Sequence, residues 1–335
     1  MTLLLDNADV RRVLRMRDAI DALEAAFVDY ADGNAVNRPR SHTYTHRGDD
    51  RHYLFKTMDG SLPRVGVHAL RLTSDLTDES NGRRMKIPAA PGERYVGLVL
   101  LFDLELLAPV AIVQDGYLQR VRVGATSALA ADRLARREAR VVGMLGAGWQ
   151  AGAQLEGLRE VRDVAEVRVY APTREKLEIF AADHGATPVD SPLAAVEGAD
   201  IVVLATNSHR PVIDGSWLAA GTHVNSVQRH ELDDATLARA ELVVVRSHEE
   251  PTFHYAPGRA PHAARDRSLR GVVELGDVLK GLVGRTRADQ ITLFTGGGGL
   301  GIQFAAVAHA VYAAAKAAGV GRDLPTEWFT EEEKP

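Results

Sequence analysis

Residues Val141–Ala151 read V-V-G-M-L-G-A-G-W-Q-A, and this stretch is the clearest indication of the fold class. Its first five residues are typical of a buried strand, and the rest has the form G-x-G-x-x-A. In that form Gly146 allows a tight turn, Gly148 lets the backbone approach a pyrophosphate, and a small residue at Ala151 lets the next helix pack closely. Free amides at the helix N-terminus then meet the anion. A purely structural turn is the alternative, but the flanking elements and a second strand about 20 residues on favour dinucleotide binding.

The second strand, V-R-V-Y, ends at Tyr170, and no acid stands between Val169 and Arg174. Sites specific for NAD place an acid at this strand end to bind the ribose 2′-hydroxyl, whereas NADP sites omit it and supply a base. Thr173 and Arg174 are placed to hold a 2′-phosphate, so NADP (NADPH) is favoured over NAD; an exposed, solvated Arg174 is the alternative. We expect the cofactor to contact Gly146, Ala147, Gly148, Trp149, Gln150, Tyr170, Thr173, Arg174, Thr206, Asn207 and Val227.

Strands and helices alternate after Val141, where D-I-V-V-L-A-T, T-H-V-N-S-V, E-L-V-V-V and I-T-L-F-T are further apolar runs. This alternation predicts an α/β fold with a Rossmann-type, doubly wound parallel sheet over residues 121–301. Residues 1–120 contain short β-rich runs divided by turn residues, which predict an antiparallel sheet domain. A last alanine-rich helix, from about Gly301 to Ala318, suits a return of residues 302–335 to that first domain.

Composition excludes several classes of function. The chain has 335 residues and no cysteine, which excludes disulfides, thiolate nucleophiles and thiolate-bound zinc or iron–sulfur clusters. The formal net charge of −5 gives no reason to expect nucleic acid or an anionic membrane as a partner. The N-terminus carries acids where a signal peptide would carry bases, and no stretch approaches the roughly 20 apolar residues of a membrane helix. We therefore expect a soluble, cytoplasmic protein.

Two further patterns suggest sites that we do not favour. The polar segment from His248 to His262 contains three histidines and two glutamates, but the spacing is not H-E-x-x-H and Pro251 interrupts any helix that would align ligands. We expect a surface loop there and no metal. The run Thr295–Gly301, T-G-G-G-G-L-G, lacks the Lys-Ser/Thr of a P-loop. Backbone passing close to the nicotinamide, or a flexible interdomain turn, are its two interpretations.

The segment Gln119–Ala131, Q-R-V-R-V-G-A-T-S-A-L-A-A, followed after a short spacer by the glycine-rich turn, resembles the ornithine cyclodeaminase/mu-crystallin family. The likeness continues in G-T-H-V-N-S-V at Gly221–Val227 and in T-L-F-T-G-G-G-G-L-G at Thr292–Gly301. The resemblance covers essentially the whole chain in the family's order. It implies an α+β substrate and dimerisation domain, formed by the N-terminal part and the last helix, around a central Rossmann domain. It also implies a homodimer.

The resemblance implies a clamp of basic residues on a substrate carboxylate. The family's first arginine falls on Arg40 and its helix arginine on Arg122, while its lysine is most nearly matched by Arg71, with Lys56 and His68 competing. Arginine suits this role because bidentate Arg–carboxylate pairs fix orientation as well as charge. For each residue taken alone, a surface ion pair is the commoner role. The expected ligand is a small molecule that bears a carboxylate.

Two departures from the family separate the possible reactions. The catalytic Asp of cyclodeaminases has no counterpart, because the shortened loop after Val227 offers Arg229 and His230 instead, and Gln303 stands where the family often has an Asp. Reduction needs one proton delivered to nitrogen, which His230 could donate near neutral pH. We therefore expect an NADPH-dependent oxidoreductase that reduces a 2-imino acid (ketimine), or runs the reverse oxidation. A deaminating cyclase and a non-catalytic binder of NADPH and a small ligand are the alternatives.

Overall fold

The computed structural model describes residues 1–48, 50–78, 80, 85–248, 271–296 and 298–333, and the backbone of residues 252–255. Within these ranges no helix is both long and apolar enough to cross a membrane. In chain order the strands and helices are β1 (Thr2–Leu5), α1 (Asn7–Val13), α2 (Met16–Ala31), β2 (Val36–His46), β3 (Arg51–Leu62), β4 (Val67–Asp78), β5 (Met85–Ile87), β6 (Val96–Asp103), β7 (Ala108–Gln114), α3 (Asp115–Leu134), β8 (Val141–Leu145), α4 (Trp149–Val161), β9 (Glu166–Tyr170), α5 (Arg174–His184), β10 (Thr187–Pro188), α6 (Pro192–Val196), β11 (Ile201–Leu204), β12 (His223–Ser226), α7 (Asp234–Arg239), β13 (Leu242–Val245), β14 (Thr252–Tyr255), β15 (Val273–Glu274), α8 (Leu275–Leu279), β16 (Thr292–Thr295), α9 (Gly301–Ala318) and β17 (Arg322–Leu324).

The first sheet has the strand order β14-β2-β3-β4-β6-β7-β1-β17, with β5 paired to β4. Its central strands, β2 to β7, pair antiparallel, while β1 joins β7 and β14 joins β2 in parallel. Along β4, buried residues alternate with half-buried ones, as expected of a strand covered on one face. The covered face packs on α2, α3 and α9 in a continuous apolar core that includes Phe27, Met58 and Phe304.

The second sheet has the order β10-β9-β8-β11-β12-β16-β13-β15, and every described strand pair in it is parallel. Strand β11 is buried throughout and β13 is buried except at Val245, because helices cover both faces of the sheet, and this explains the continuous Val, Ile and Leu runs of these strands. The α/β, Rossmann-type prediction is confirmed. Strand β8 lies between β9 and β11, so the chain reverses its direction of winding there, and ligands of such sheets bind at the carboxyl ends of the strands at that point.

The last helix ties the second sheet to the first. Helix α9 follows the glycine-rich run after β16 and begins against β2 and β3. Gly301 N–H donates to Asn37 Oδ1 of β2 over 2.7 Å. A Cβ on Gly301 would lie 1.8 Å from the Asp59 carbonyl oxygen, so this approach requires glycine. The domain limits, 1–120 with 302–335 and 121–301, stay a prediction. One strand inside the second range, β14, pairs with β2 of the first sheet.

Candidate dinucleotide groove and substrate site

A groove of about 780 Å³ opens at the carboxyl ends of β8, β9 and β11. Most of the predicted cofactor contacts line it: Gly146, Ala147, Gly148, Trp149, Gln150, Tyr170, Thr173, Thr206 and Asn207. Arg174 and Val227 are not among the lining residues. Val227 donates its N–H to the Leu204 carbonyl over 3.0 Å and packs against the core under α4.

The turn between β8 and α4 has the geometry that a pyrophosphate needs. Gly146 has φ +117°, and a Cβ there would lie 2.3 Å from the Ala205 carbonyl oxygen, so the fold itself requires this glycine. At Gly148 φ is −104°, and a Cβ would meet no atom of the described residues within 4 Å. Neither the backbone nor the packing therefore requires glycine at 148, and the space is left for a ligand. No side chain caps the start of α4, whose first amides remain available to an anion.

The end of β9 carries the residues expected to distinguish NADP from NAD. Thr173 and Lys176 line the groove, and Lys176 is a base that sequence reasoning missed although it lies in the first turn of α5. Arg174 is exposed and forms ion pairs with Glu178 at 2.7 Å and Asp190 at 2.9 Å. Such exposed pairs contribute little to stability, so their rearrangement costs little.

Buried cations gather where the first sheet faces α3 and α9. Arg71 of β4 donates through Nε and Nη2 to Asp115 at 2.9 and 2.6 Å, and it also bonds to Gln119. Arg122 of α3 lies 4.9 Å from the centre of the Phe304 ring, and Arg71 lies 5.2 Å from it. Both arginines are about 95% buried. Two predicted clamp residues, from different elements, thus share one aromatic support.

Arg122 has no carboxylate partner among the described residues. Its Nη1 donates to Gln303 Oε1 over 3.2 Å, and its Nε is buried without a hydrogen bond. Burial and the neighbouring cations Arg246 and Arg71 hold the pKa of Arg122 well below its ordinary value. A buried cation in this state gains stability from an anion bound beside it.

Arg40 lies in the irregular part of β2, and it contacts the same glycine-rich run, Thr295–Gly301, as Arg122 does. Its Nε is also buried without a partner, and burial, with repulsion from Arg71, lowers its pKa to about 10. A Cβ on Gly298 would lie 2.8 Å from Arg40 Nη2, and a Cβ on Gly299 would lie 2.9 Å from Arg122 Nη1. Gly298 and Gly299 therefore pass directly beside the guanidinium groups, which leaves no room for a side chain at either position.

Strand alternation decides between Lys56 and His68. Met58 faces Arg71 across β3 and β4, and Lys56 faces Thr73, so Lys56 and Arg71 share the buried face of the sheet. His68 pairs with Ser61 on the opposite face, where its ring bonds to the Ser61 hydroxyl at 2.7 Å. Of these two residues, only Lys56 lies on the same face of the sheet as Arg71.

Lys56 is held by a buried carboxylate. Its Nζ lies 2.9 Å from Asp75 Oδ2, and Lys86 lies 2.9 Å from the other oxygen of Asp75. Burial and the positive charge of Lys86 lower the pKa of Lys56 to about 8, although Asp75 raises it. Lys56 is therefore an ammonium group that can release a proton near neutral pH.

His230 follows a strand of the second sheet, whereas Lys56 and Arg71 lie on strands of the first. It lies in the short turn Arg229–Glu231 after β12, stacked on His209 with ring centres 5.1 Å apart. Burial and His209 lower its pKa. The neighbouring acid, Glu231, is fully buried and accepts hydrogen bonds from Thr206 N, at 2.6 Å, and Gln228 N, at 2.9 Å. Glu231 thus joins the ends of β11 and β12 and is occupied structurally.

The described residues contain no group of three or more His, Asp or Glu side chains arranged to hold a metal ion. Of the polar segment discounted above, His248 donates its N–H to Glu274 at 2.6 Å. The side chains of Glu249, Glu250, His254 and His262 lie outside the described part of the chain.

The sequence has close relatives of known activity. It is 31% identical to an alanine dehydrogenase of Archaeoglobus fulgidus, over 96% of this chain and 98% of that protein. It is 32% identical to a Delta(1)-pyrroline-2-carboxylate reductase of Bacillus cereus, over 68% of this chain and 74% of that protein.

Two solved structures are similar to this chain over nearly their whole length. The Delta(1)-pyrroline-2-carboxylate reductase of Thermococcus litoralis, in complex with NADH and L-proline, matches with a TM-score of 0.77 and 26% identity, over 96% of this chain and all (100%) of that one. An archaeal alanine dehydrogenase dimer with bound NAD matches with a TM-score of 0.78 and 27% identity, over 97% and 99% of the two chains. The family model described as ornithine cyclodeaminase/mu-crystallin matches residues 1–319. The chain therefore belongs to the ornithine cyclodeaminase/mu-crystallin family.

Proposed function

We propose that this chain is an NAD(P)-dependent oxidoreductase that reduces the C=N bond of a 2-imino acid to an amino acid, or runs the reverse oxidation. The observation that carries the proposal is the pair Arg40 and Arg122. Both have a buried Nε without a partner. Both also lie against the run Thr295–Gly301, at the carboxyl edge of the second sheet. The dinucleotide groove opens at that same edge. A relative named for alanine and two named for pyrroline-2-carboxylate act on molecules of this class.

Different residues would hold the cofactor, bind the substrate carboxylate and transfer the proton. Gly146, Gly148 and the first amides of α4 would hold the pyrophosphate, and the bound nicotinamide supplies or accepts the hydride. Arg40 and Arg122 bind the substrate carboxylate and orient the carbon next to it. Arg71, held by Asp115, adds positive charge beside them. We assign the proton transfer at nitrogen to Lys56 rather than His230, because Lys56 shares the buried face with Arg71.

Two positions, Glu231 and Gln303, make a cyclase reaction unfavourable. Cyclisation with loss of ammonia needs a base near the substrate amine, and the acid nearest the expected loop position, Glu231, already accepts bonds from the backbone of Thr206 and Gln228. Gln303, which stands where the family often has an Asp, is bonded to Arg122 and donates to Thr126 at 2.7 Å. Both positions therefore serve the framework of the site.

A paired assay tests the proposed reaction. We expect loss of NADPH with 1-pyrroline-2-carboxylate and little or no formation of proline and ammonia from L-ornithine with catalytic cofactor. Alanine formation from pyruvate and ammonia is a second reductive assay with an open-chain imine. Efficient conversion of L-ornithine together with no net cofactor consumption in either reductive assay would establish the cyclase instead.

We further propose a preference for NADP(H) over NAD(H), although the similar solved structures hold NADH and NAD. The support is the absence of an acid from 169 to 174 and the presence of Thr173 and Lys176 in the groove. NADPH should bind more tightly than NADH by about 1.5–3 kcal/mol, the scale of hydrogen bonds to a charged group. Replacing Lys176 or Arg174 by Ala should remove most of that difference and spare NADH, as measured by fluorescence titration. Equal affinities in the unmodified protein would refute the preference.

A further inference from the structure

Gln303 is a fully buried amide in the first turn of α9, and its side chain bonds to three different groups. Its Oε1 accepts from Leu300 N–H at 2.9 Å and from Arg122 Nη1 at 3.2 Å. Its Nε2 donates to Thr126 Oγ1 at 2.7 Å. Gln303 therefore joins the end of the run Thr295–Gly301 to α3, the helix that carries Arg122.

The partners of Gln303 require an amide at this position. Leu300 N–H can only donate, so an oxygen must face it, and the amide nitrogen must then face Thr126. The Thr126 hydroxyl donates its single proton to the Arg122 carbonyl at 2.7 Å, so its oxygen is left to accept from Gln303. A carboxylate at position 303 would offer no such donor. Glutamine satisfies this network and adds no charge to it.

Gln303 holds the guanidinium of Arg122 at one end only. Among the described residues Nη1 bonds to Gln303, Nε is buried without a partner, and no hydrogen bond involves Nη2. Nε and Nη2 form the edge with which an arginine binds a carboxylate through two parallel hydrogen bonds. Phe304 lies 4.9 Å from the guanidinium carbon, and a Cβ on Gly299 would lie 2.9 Å from both Nη atoms. The bond to Gln303 thus fixes the direction of an edge that stays open.

The neutral acceptor also leaves the positive charge of Arg122 to a ligand. The Oδ2 atom of the neighbouring acid, Asp115, is bound to Arg71 at 2.6 Å. An acid at position 303 would pair with Arg122 inside the protein and would compete with a substrate carboxylate for it. Such a buried pair stabilises the cation, but the cation is then already satisfied when the substrate arrives.

We propose that Gln303 is a positioning residue that directs the Nε–Nη2 edge of Arg122 toward the substrate carboxylate without neutralising its charge. The inference rests on the proposed function, in which Arg122 binds that carboxylate. Gln303 acts through Arg122, so a change of charge at position 303 should appear in substrate affinity rather than in the chemical step or in cofactor binding.

Gln303→Glu tests the charge, because it keeps the acceptor oxygen and the shape of the side chain. We expect KM for 1-pyrroline-2-carboxylate to rise about 10- to 150-fold, with a much smaller change in kcat and an unchanged affinity for NADPH. The melting temperature should stay the same or rise, because Arg122 gains a partner. Gln290→Glu is the matched control and should leave KM unchanged; Gln290 is 8% exposed and accepts from Thr286 N–H at 3.0 Å. A lower melting temperature with an unaltered KM would show a purely structural Gln303 and overturn the inference.

The same substitution in the Arg122→Met background shows whether Gln303 acts through Arg122. There Gln303→Glu should raise KM no further, and it should lower the melting temperature because the new carboxylate is buried without that cation. An equal rise in KM in both backgrounds would overturn the inference. If the Glu variants fail to fold, Thr126 provides the test: Thr126→Val should raise KM and Thr126→Ser should restore it, whereas equal KM values for these two variants would overturn the inference.

Binding of pyruvate separates this inference from the proposed function. A working reductase whose KM is unaffected by Gln303→Glu keeps the function and overturns the inference alone. If no imino acid or amino acid is turned over with NADPH or NADH, the proposed function fails, and calorimetry with pyruvate decides the inference. Weaker binding to Gln303→Glu than to the unmodified protein would support it. Binding that is equal in the two proteins, or absent from both, would overturn it.

Discussion

On the proposed function, the buried charge of Arg122 binds the substrate carboxylate at a cost in the stability of the folded chain. Its guanidinium is buried beside other cations, and the described residues offer it no carboxylate, only Gln303. Arg122→Met keeps an apolar side chain against Phe304 and removes the charge. We expect the melting temperature to stay the same or rise, because a disfavoured buried charge is lost.

The same variant should lose about 1.5–3 kcal/mol of transition-state binding, or roughly 10- to 150-fold in kcat/KM, with cofactor affinity unchanged. Arg133→Met lies on the same helix in an exposed pair with Glu24 and is the control for the helix itself. A lower melting temperature with unchanged kinetics would mean that Arg122 has a structural role.

The ion triad of Lys56, Asp75 and Lys86 makes the pH dependence of reduction predictable. On the proposed assignment the proton donor is the protonated form of Lys56, so the rate should be constant below about pH 8 and should fall as pH rises through the pKa of Lys56. Asp75 raises that pKa and Lys86 lowers it. Asp75→Asn should therefore move the alkaline fall to lower pH, and Lys86→Gln should move it to higher pH. Identical pH–rate profiles for both variants and the unmodified protein would assign the proton to another group.

At the scale of elements, the strand–turn–helix unit β8–α4 contains two glycines with different tasks. Gly146→Ala should destabilise the protein, because a side chain at φ +117° is strained by about 1–3 kcal/mol and would also meet the Ala205 carbonyl. Gly148→Ala should leave the melting temperature unchanged, because its Cβ enters open space. The Gly148 variant should nevertheless lose cofactor affinity about tenfold or more, since the pyrophosphate occupies that space.

Thermal unfolding and cofactor titration of the two variants check this pair. A Gly148→Ala protein that binds NADPH and NADH normally would show that the phosphate is held elsewhere in the groove. The two substitutions add the same atom two residues apart in one turn, so each variant is the control for the other.

The pairing of strands also explains which sequence predictions about the site could be made. The strand, turn and helix of residues 141–151 are local, so their pattern predicts both the fold and the cofactor groove. The choice between Lys56 and His68 depends on which face of β3 and β4 each occupies, and the register of that hairpin is settled by packing against α3 and α9. Motif spacing alone left both open.

In the whole molecule, the described helices α2, α3 and α9 pack on one face of the first sheet, and no described helix covers the other. Leu70 pairs with Leu100, and Leu72 with Leu98, and these four side chains are half-buried on the side opposite Arg71. We propose that a second copy covers this apolar face, in keeping with the homodimer implied by the resemblance and with the dimer described for a similar alanine dehydrogenase.

Sedimentation should therefore show a species of twice the 36.3 kDa chain mass at micromolar concentration. Leu72→Glu should dissociate it, whereas Leu106→Glu, at a residue exposed in the turn between β6 and β7, should not. A monomeric unmodified protein would contradict the proposal, and a dimer insensitive to Leu72→Glu would place the interface on another surface.

Local sequence patterns specify the fold class, the position of the phosphate-binding turn, the lack of an acid at the end of β9 and the family. Each of these depends on residues close together in the chain, whose turn chemistry and periodicity are set by local backbone geometry. Tertiary packing, by contrast, brings Arg246 beside Arg40 and Arg122 and puts Lys56 on the same sheet face as Arg71. The carboxyl ends of neighbouring parallel strands meet whatever their separation in the chain, so residues 245 and 295 become neighbours through the order of the strands. That order is decided by packing of the whole core, which no local pattern encodes.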